Sequence, residues 1–304
     1  MSVPFAGLEL ANPIINGSGT FDAIAAYTAF GEELCDPFPF AAYVSKTITL
    51  QPRAGNPPPR LFEAAGGLIN SIGLPNKGLR GYLEQDLPRL RSICEAARPA
   101  GAAGAGVPLI TNVMGSTATE LEELAAACEE QDAIAALELN VSCPNVSTGL
   151  DIGADPEQLR AVVAAVRPAT RKPLIVKLTP NTADVPACAL AAQDGGADAV
   201  SLINTLRAAA LDPGRGAGSG ERWLGGGTGG LSGPAVRVVA LAQVAAVAER
   251  VEIPVVGMGG VQCARHAREL LDAGASVVAV GTESFRDPAT GSRIAAQLMS
   301  VAEA

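Results

Sequence analysis

A chain of 304 residues with 48% hydrophobic and 17% charged side chains can bury a large core, which argues against a disordered chain and suits a single domain over 1–304. The formal charge of -9 and the absence of any Lys/Arg cluster leave no broad surface for nucleic acid or an anionic membrane. Six scattered cysteines (Cys35, Cys94, Cys128, Cys143, Cys188, Cys263) and one His266 argue against disulfides, zinc and an internal iron–sulfur cluster.

The opening "MSVPFAGLEL" has neither a basic nor a long apolar leader, and charges interrupt the apolar stretch near 235–251, so a soluble cytoplasmic protein is expected. Eight short, β-branched runs follow in chain order: 13–17, 43–46, 109–113, 136–140, 174–178, 199–203, 254–258 and 277–281. Helical patterns occupy 81–98, 117–131, 156–168, 183–194, 234–250, 262–273 and 288–303. Asp155-Pro156 and Ser232-Gly233-Pro234 read as helix starts. Continuous apolar strands alternating with helices predict a parallel sheet covered on both faces, and eight such units predict a closed (β/α)8 TIM barrel. Two stretches are too long for ordinary connections: 47–80, and 206–231 with its "GGGTGG". The latter matches G-x-G-x-x-G formally, but no strand precedes it, so it is not read as a dinucleotide fingerprint.

An active site in such a barrel lies at the C-terminal ends of the strands. There the sequence places Ser18, Lys46, Asn112, Asn140, Lys177, Asn204, Gly259-Gly260 and Gly281-Thr282. "VGMGG" and "VGTES" after the seventh and eighth strands look like a phosphate cradle, in which glycines let backbone N–H groups approach an anion. Lys177 suits either a Schiff base, as in a lyase, or a fixed positive charge beside a cofactor. The asparagines favour the second, since amides both donate and accept and so match a heterocycle with alternating N–H and C=O groups. His266, in "QCARHAREL", reads as a surface or packing residue outside this mouth.

Taken in order, "NPIINGSGTF", "SKTITLQPRAGNPPPR", "GLINSIGLPNKG", "ELNVSCPNV", "VKLTPN", "LINTL", "GGLSGPA", "VVGMGG" and "VGTESF" resemble class 1 dihydroorotate dehydrogenase, an FMN-dependent barrel enzyme of pyrimidine biosynthesis. The resemblance runs from about residue 12 to residue 286. It implies that FMN is held by Ser18, Lys46, Thr47, Asn112, Asn140, Lys177, Ile203 and Gly233, with its phosphate on Gly259, Gly260, Gly281 and Thr282. It implies that dihydroorotate meets Lys46, Asn70, Ser71, Ile72, Gly73, Leu74, Asn140, Asn145, Asn204 and Thr205, with Cys143 as the base. Oxidation of this ring removes a proton from C5 and a hydride from C6 to flavin N5. A thiol suits the first task where thiolate is accessible. Lys177 would then stabilise the reduced flavin near N1 and O2, and Lys46 would pair with the substrate carboxylate.

"INT" at 203–205 and the run from "SCPNV" to "DPEQL" look more like the class 1B subunit. Those proteins work as a homodimer core with two partner subunits carrying FAD and a 2Fe–2S cluster, and pass electrons to NAD. The fumarate-using class 1A, reduction of another dihydropyrimidine, and a non-catalytic barrel subunit are the other readings. Two departures from the family pattern stand out: "TNVMGS" at 111–116, and the length of the Gly-rich 214–230 segment.

Overall fold

The computed structural model describes residues 2–141, 152–212, 214 and 220–302. In chain order its strands are β1 (Val3–Phe5), β2 (Leu8–Leu10), β3 (Ile14–Asn16), β4 (Tyr43–Val44), β5 (Leu61–Ala64), β6 (Gly67–Asn70), β7 (Leu109–Val113), β8 (Ala136–Asn140), β9 (Leu174–Lys177), β10 (Ala199–Leu202), β11 (Leu206–Ala208), β12 (Gly229–Ser232), β13 (Val255–Met258) and β14 (Val277–Val280). Eight of them form one parallel sheet in the order β3-β14-β13-β10-β9-β8-β7-β4. These are the eight expected strands, and helices separate most of them, as a (β/α)8 barrel requires.

The two end strands of that sheet meet through a side chain. Asn16 Nδ2 donates to the Val44 carbonyl at 2.7 Å, and Asn16 Oδ1 accepts from the Val44 N–H at 2.8 Å. One amide side chain thus makes both bonds of a peptide in the ladder and seals the barrel between β3 and β4.

Strands buried on both faces divide the apolar residues into two cores. Inside the barrel, Ile15, Ile110, Ile175 and Val256 pack with the small Ala136, Ala199 and Ala279. Phe5 and Leu10 of the β1–β2 hairpin join this cluster beside Ala136, Ala199 and Val277, each the first residue of its strand. The hairpin therefore stoppers the end opposite the strand C-termini. A larger core fills the space between the barrel and its helices.

Local chemistry sets the helix starts. Asp22, Thr117, Asp155 and Asp184 each accept an N–H three residues on, from Ala25, Glu120, Gln158 and Ala187. The helix expected over 81–98 begins at Gly78, passes through a π turn at Tyr82–Asp86, and resumes as Leu87–Ala96. Pro88 has no N–H to give to the preceding turn, and the widened turn sits just before it. The helix Ala23–Phe30 was not expected from the sequence, being short and apolar on most sides.

The stretches 47–80 and 206–231 supply a four-stranded antiparallel sheet, ordered β11-β12-β6-β5, instead of open loops. Its own small core holds Ile69, Ala210 and Leu224, with Phe62 and Trp223 edge-to-face at 6.4 Å. Two of the "GGGTGG" glycines, Gly229 and Gly230, open β12 and are packing residues in this sheet. A Cβ at Gly230 would lie 1.9 Å from Thr205 Oγ1, and one at Gly229 would lie 2.4 Å from the Asn70 carbonyl.

Candidate functional site

The C-terminal strand ends and the antiparallel sheet enclose a cavity of about 390 Å³, within the usual size range of small-molecule sites. Ser18, Lys46, Thr47, Asn140, Lys177, Ile203, Gly233, Gly259, Gly260, Gly281 and Thr282 all line it. So do Asn70, Ile72, Gly73, Leu74, Asn204 and Thr205. Most of the residues singled out from the sequence therefore meet at one mouth. Ser71 and Asn112 are fully buried and are not lining residues; Asn112 lies just beneath the floor, its backbone bonded to Ser45 and Ile48 on either side of the lining residues Lys46 and Thr47. Cys143 and Asn145 lie outside the described residues.

The β8–β9 pairing explains the cavity floor. Asn140 and Lys177 are opposite one another in that parallel pair, so their side chains leave the same face of the sheet. Each ends its strand, and each is more than nine-tenths buried. Asn140 Nδ2 lies 3.5 Å from Thr47 Oγ1, which itself lies 3.5 Å from Ser18 Oγ. Ser18 is tied down by donating to the Ser45 carbonyl at 2.8 Å. The result is a row of amide and hydroxyl groups with one buried ammonium.

At the opposite rim stand the glycines singled out from the sequence as a cradle. Gly260 holds φ +67°, and a Cβ there would sit 2.8 Å from both Arg237 Cβ and the Gly233 carbonyl. At Gly281 a Cβ would meet only Thr20 Cγ2, at 3.7 Å, so this backbone faces open cavity. Thr282 begins a four-residue 3-10 turn and donates from Oγ1 to Ser232 Oγ at 2.9 Å. No α-helix starts at Gly281, only this short turn.

Residues not singled out complete the cavity. Thr20 and Ser232 add hydroxyls beside the cradle, while Leu61, Leu68, Leu231, Val236, Met258 and Phe285 give it apolar walls. Leu61, Leu68 and Leu231 come from the antiparallel sheet, whose existence no strand-like periodicity announced. Beneath the floor, Glu138 accepts from Asn112 Nδ2 at 2.5 Å and from Ser201 Oγ at 2.7 Å. A charged residue inside an apolar-looking strand was the available signal for this network.

Acid–base capacity is restricted by burial. Burial pushes the thiols of Cys94 and Cys128 up to about 12, and raises those of Cys35 and Cys188. These four stay protonated at neutral pH and cannot serve as bases. His266 is on the helix Ala264–Asp272 and is absent from the cavity lining. Burial, with Arg237 next in importance, holds its imidazole below the ordinary range.

A family model described as "Dihydroorotate dehydrogenase" matches residues 1–301. The chain is 42% identical over 299 residues to "Dihydroorotate dehydrogenase B (NAD(+)), catalytic subunit" of Citrifermentans bemidjiense, covering 98% of this chain and 92% of that one. It is 44% identical over 301 residues to the protein of the same name from Desulforudis audaxviator, covering 98% and 91%. Among solved structures, the dihydroorotate dehydrogenase of Eimeria tenella in complex with ferulenol superimposes with a TM-score of 0.78 at 23% identity. That match covers 99% of this chain and 84% of that one, and speaks to the barrel fold. With a family model matched almost end to end and relatives above 40% identity, the chain belongs to the dihydroorotate dehydrogenase family.

Proposed function

We propose that this protein oxidises (S)-dihydroorotate to orotate in pyrimidine biosynthesis, using bound FMN. The observation that carries the reading is a single cavity joining a glycine cradle to a floor of amides, hydroxyls and Lys177. The residues present fit a flavin mononucleotide. Gly281 offers open backbone where a phosphate would sit, and Asn112 Oδ1 is a buried acceptor with no partner among the described residues.

The phosphate would rest on Gly259, Gly260, Gly281 and Thr282, and the ring system on Ser18, Lys46, Thr47, Asn112, Asn140, Lys177, Ile203 and Gly233. When bound, the flavin supplies the two-electron acceptor. The chain supplies the rest. Lys46 attracts the substrate carboxylate, and Asn70, Asn140, Asn145, Asn204 and Thr205 bind the amide edges of its ring. The segment Ser71, Ile72, Gly73 and Leu74 borders it. Cys143 takes the C5 proton onto Sγ as the C6 hydrogen and two electrons leave the ring. Lys177 keeps a positive charge where negative charge develops, in a site shielded from water, where that charge counts most.

The names of the curated relatives support an NAD-linked enzyme whose catalytic subunit works with a partner. In this reading a homodimer core binds a subunit carrying FAD and a 2Fe–2S cluster. An acceptor screen tests it. Orotate formation should couple to NAD only when the partner is co-expressed. Robust turnover with fumarate by the isolated chain would place it in class 1A instead.

A further inference from the structure

Two donors occupy the two carboxylate oxygens of Glu138, both from neighbouring strands. Asn112 faces it across the β7–β8 pairing and donates Nδ2 to Oε2 at 2.5 Å. Ser201 of β10 donates Oγ to Oε1 at 2.7 Å. All three side chains are buried, and Glu138 lies one inward-facing position deeper than Asn140 on the same strand. The backbone of Asn112 is also satisfied. Its N–H donates to Ser45 Oγ at 3.1 Å, and its carbonyl accepts from Ile48 at 3.0 Å. The one atom left over is Asn112 Oδ1, buried and without a partner among the described residues.

A buried acceptor that folding leaves unpaired carries a desolvation cost, which a ligand donor can recover. An asparagine amide is nearly symmetric in shape, so by itself it could present either its oxygen or its NH2 group. A carboxylate only accepts, so a neighbouring glutamate forces the NH2 toward itself. We propose that Glu138 is a positioning residue for the flavin. It fixes the Asn112 amide so that the side chain offers an acceptor, never a donor, to the bound ring. This rests on the proposed FMN function, and gives the one carboxylate in the barrel strands a task the mechanism did not use.

The test compares Glu138→Gln with the exchanged pair Asn112→Asp/Glu138→Gln, using protein purified with its flavin. Glutamine keeps the volume of glutamate but can both donate and accept, so the Asn112 amide loses its fixed orientation. In the exchanged pair, the introduced glutamine amide donates to the introduced aspartate, which is an acceptor in any rotamer. The readouts are the FMN dissociation constant, from fluorescence of flavin released on dilution, and the visible spectrum of the bound flavin. Glu138→Gln should weaken FMN about tenfold and shift its absorption bands. The exchanged pair should recover affinity to within about threefold of wild type.

Because the exchanged pair satisfies every hydrogen bond of the original, it decides the matter even if Glu138→Gln alone does not fold. Unchanged FMN affinity and spectrum in folded Glu138→Gln, or loss of FMN from the folded exchanged pair, would overturn the role of Glu138 while leaving the flavin reading intact. Wild-type protein that neither carries nor takes up FMN would overturn both.

Discussion

Asn140 and Lys177 stand opposite one another at the ends of two adjacent parallel strands, which puts an amide and an ammonium side by side on the cavity floor. Replacing Lys177 by Met keeps the length and most of the packing while removing the charge. The flavin of Lys177→Met should become harder to reduce. Its midpoint potential should move negative by tens of millivolts, and reduction by dihydroorotate should slow by at least about 100-fold, in line with the loss of a preorganised charge. Potentiometric titration and anaerobic stopped-flow check both. A Schiff-base role would show instead as borohydride trapping of a carbonyl substrate on wild-type Lys177.

At the glycine rim proposed for the phosphate, Gly281 and Gly260 separate ligand binding from folding. Gly281 has space for a Cβ, with only Thr20 nearby at 3.7 Å. Gly281→Ala should fold with a melting temperature close to wild type when flavin is absent, yet bind FMN about tenfold or more weakly. Gly260→Ala should lose stability outright, because its φ of +67° and the 2.8 Å approach to Arg237 Cβ leave no room. Thermal melts with and without added FMN distinguish the two.

Burial raises the Cys94 and Cys128 thiols to about 12, above the value of about 8.5 expected in the unfolded chain. The folded state therefore keeps two protons that the unfolded state releases, so their contribution is fully present below about pH 8.5 and is lost as pH rises toward 12. Denaturation followed from pH 8 to 11 should show stability falling with pH. Each of the two thiols contributes about 1.4 kcal/mol per pH unit to that slope. Cys128→Ala should reduce the slope by about one proton's worth while lowering overall stability through the cavity it leaves.

The parts of the fold visible in the sequence were those governed by patterns that repeat. β7, β8 and β9 were bounded to within a residue because strands buried on both faces are unbroken apolar runs. Gly260 stood out because its positive φ and close contacts admit only glycine. The antiparallel sheet was not, because β5, β6, β11 and β12 are short and half-exposed, and β12 begins in glycines that only a three-dimensional contact explains. Asn112 illustrates a second limit. The strand-end rule put it near the mouth, and in the structure it is fully buried there, bonded to a Glu138 that strand periodicity could not connect to it. Asn16 is a third case: nothing in its strand pattern marked it, and its amide seals the barrel.

Cys143 lies outside the described residues, so its assignment as the base rests on the family resemblance of "ELNVSCPNV". Cys143→Ser should retain flavin and orotate binding but lose reduction rate by orders of magnitude at neutral pH, since a hydroxyl is a far weaker base than a thiolate. Raising the pH should recover part of the rate. An unchanged rate at pH 7 would remove Cys143 from the role.

Anaerobic mixing of the purified protein with dihydroorotate bears on the central claim most directly. The protein should be yellow, and stoichiometric dihydroorotate should bleach its flavin absorbance in a single turnover while one equivalent of orotate forms; dihydrouracil, which lacks the carboxylate for Lys46, should leave the colour unchanged. Flavin that stays oxidised with dihydroorotate, or that is bleached by dihydrouracil alone, would contradict the account.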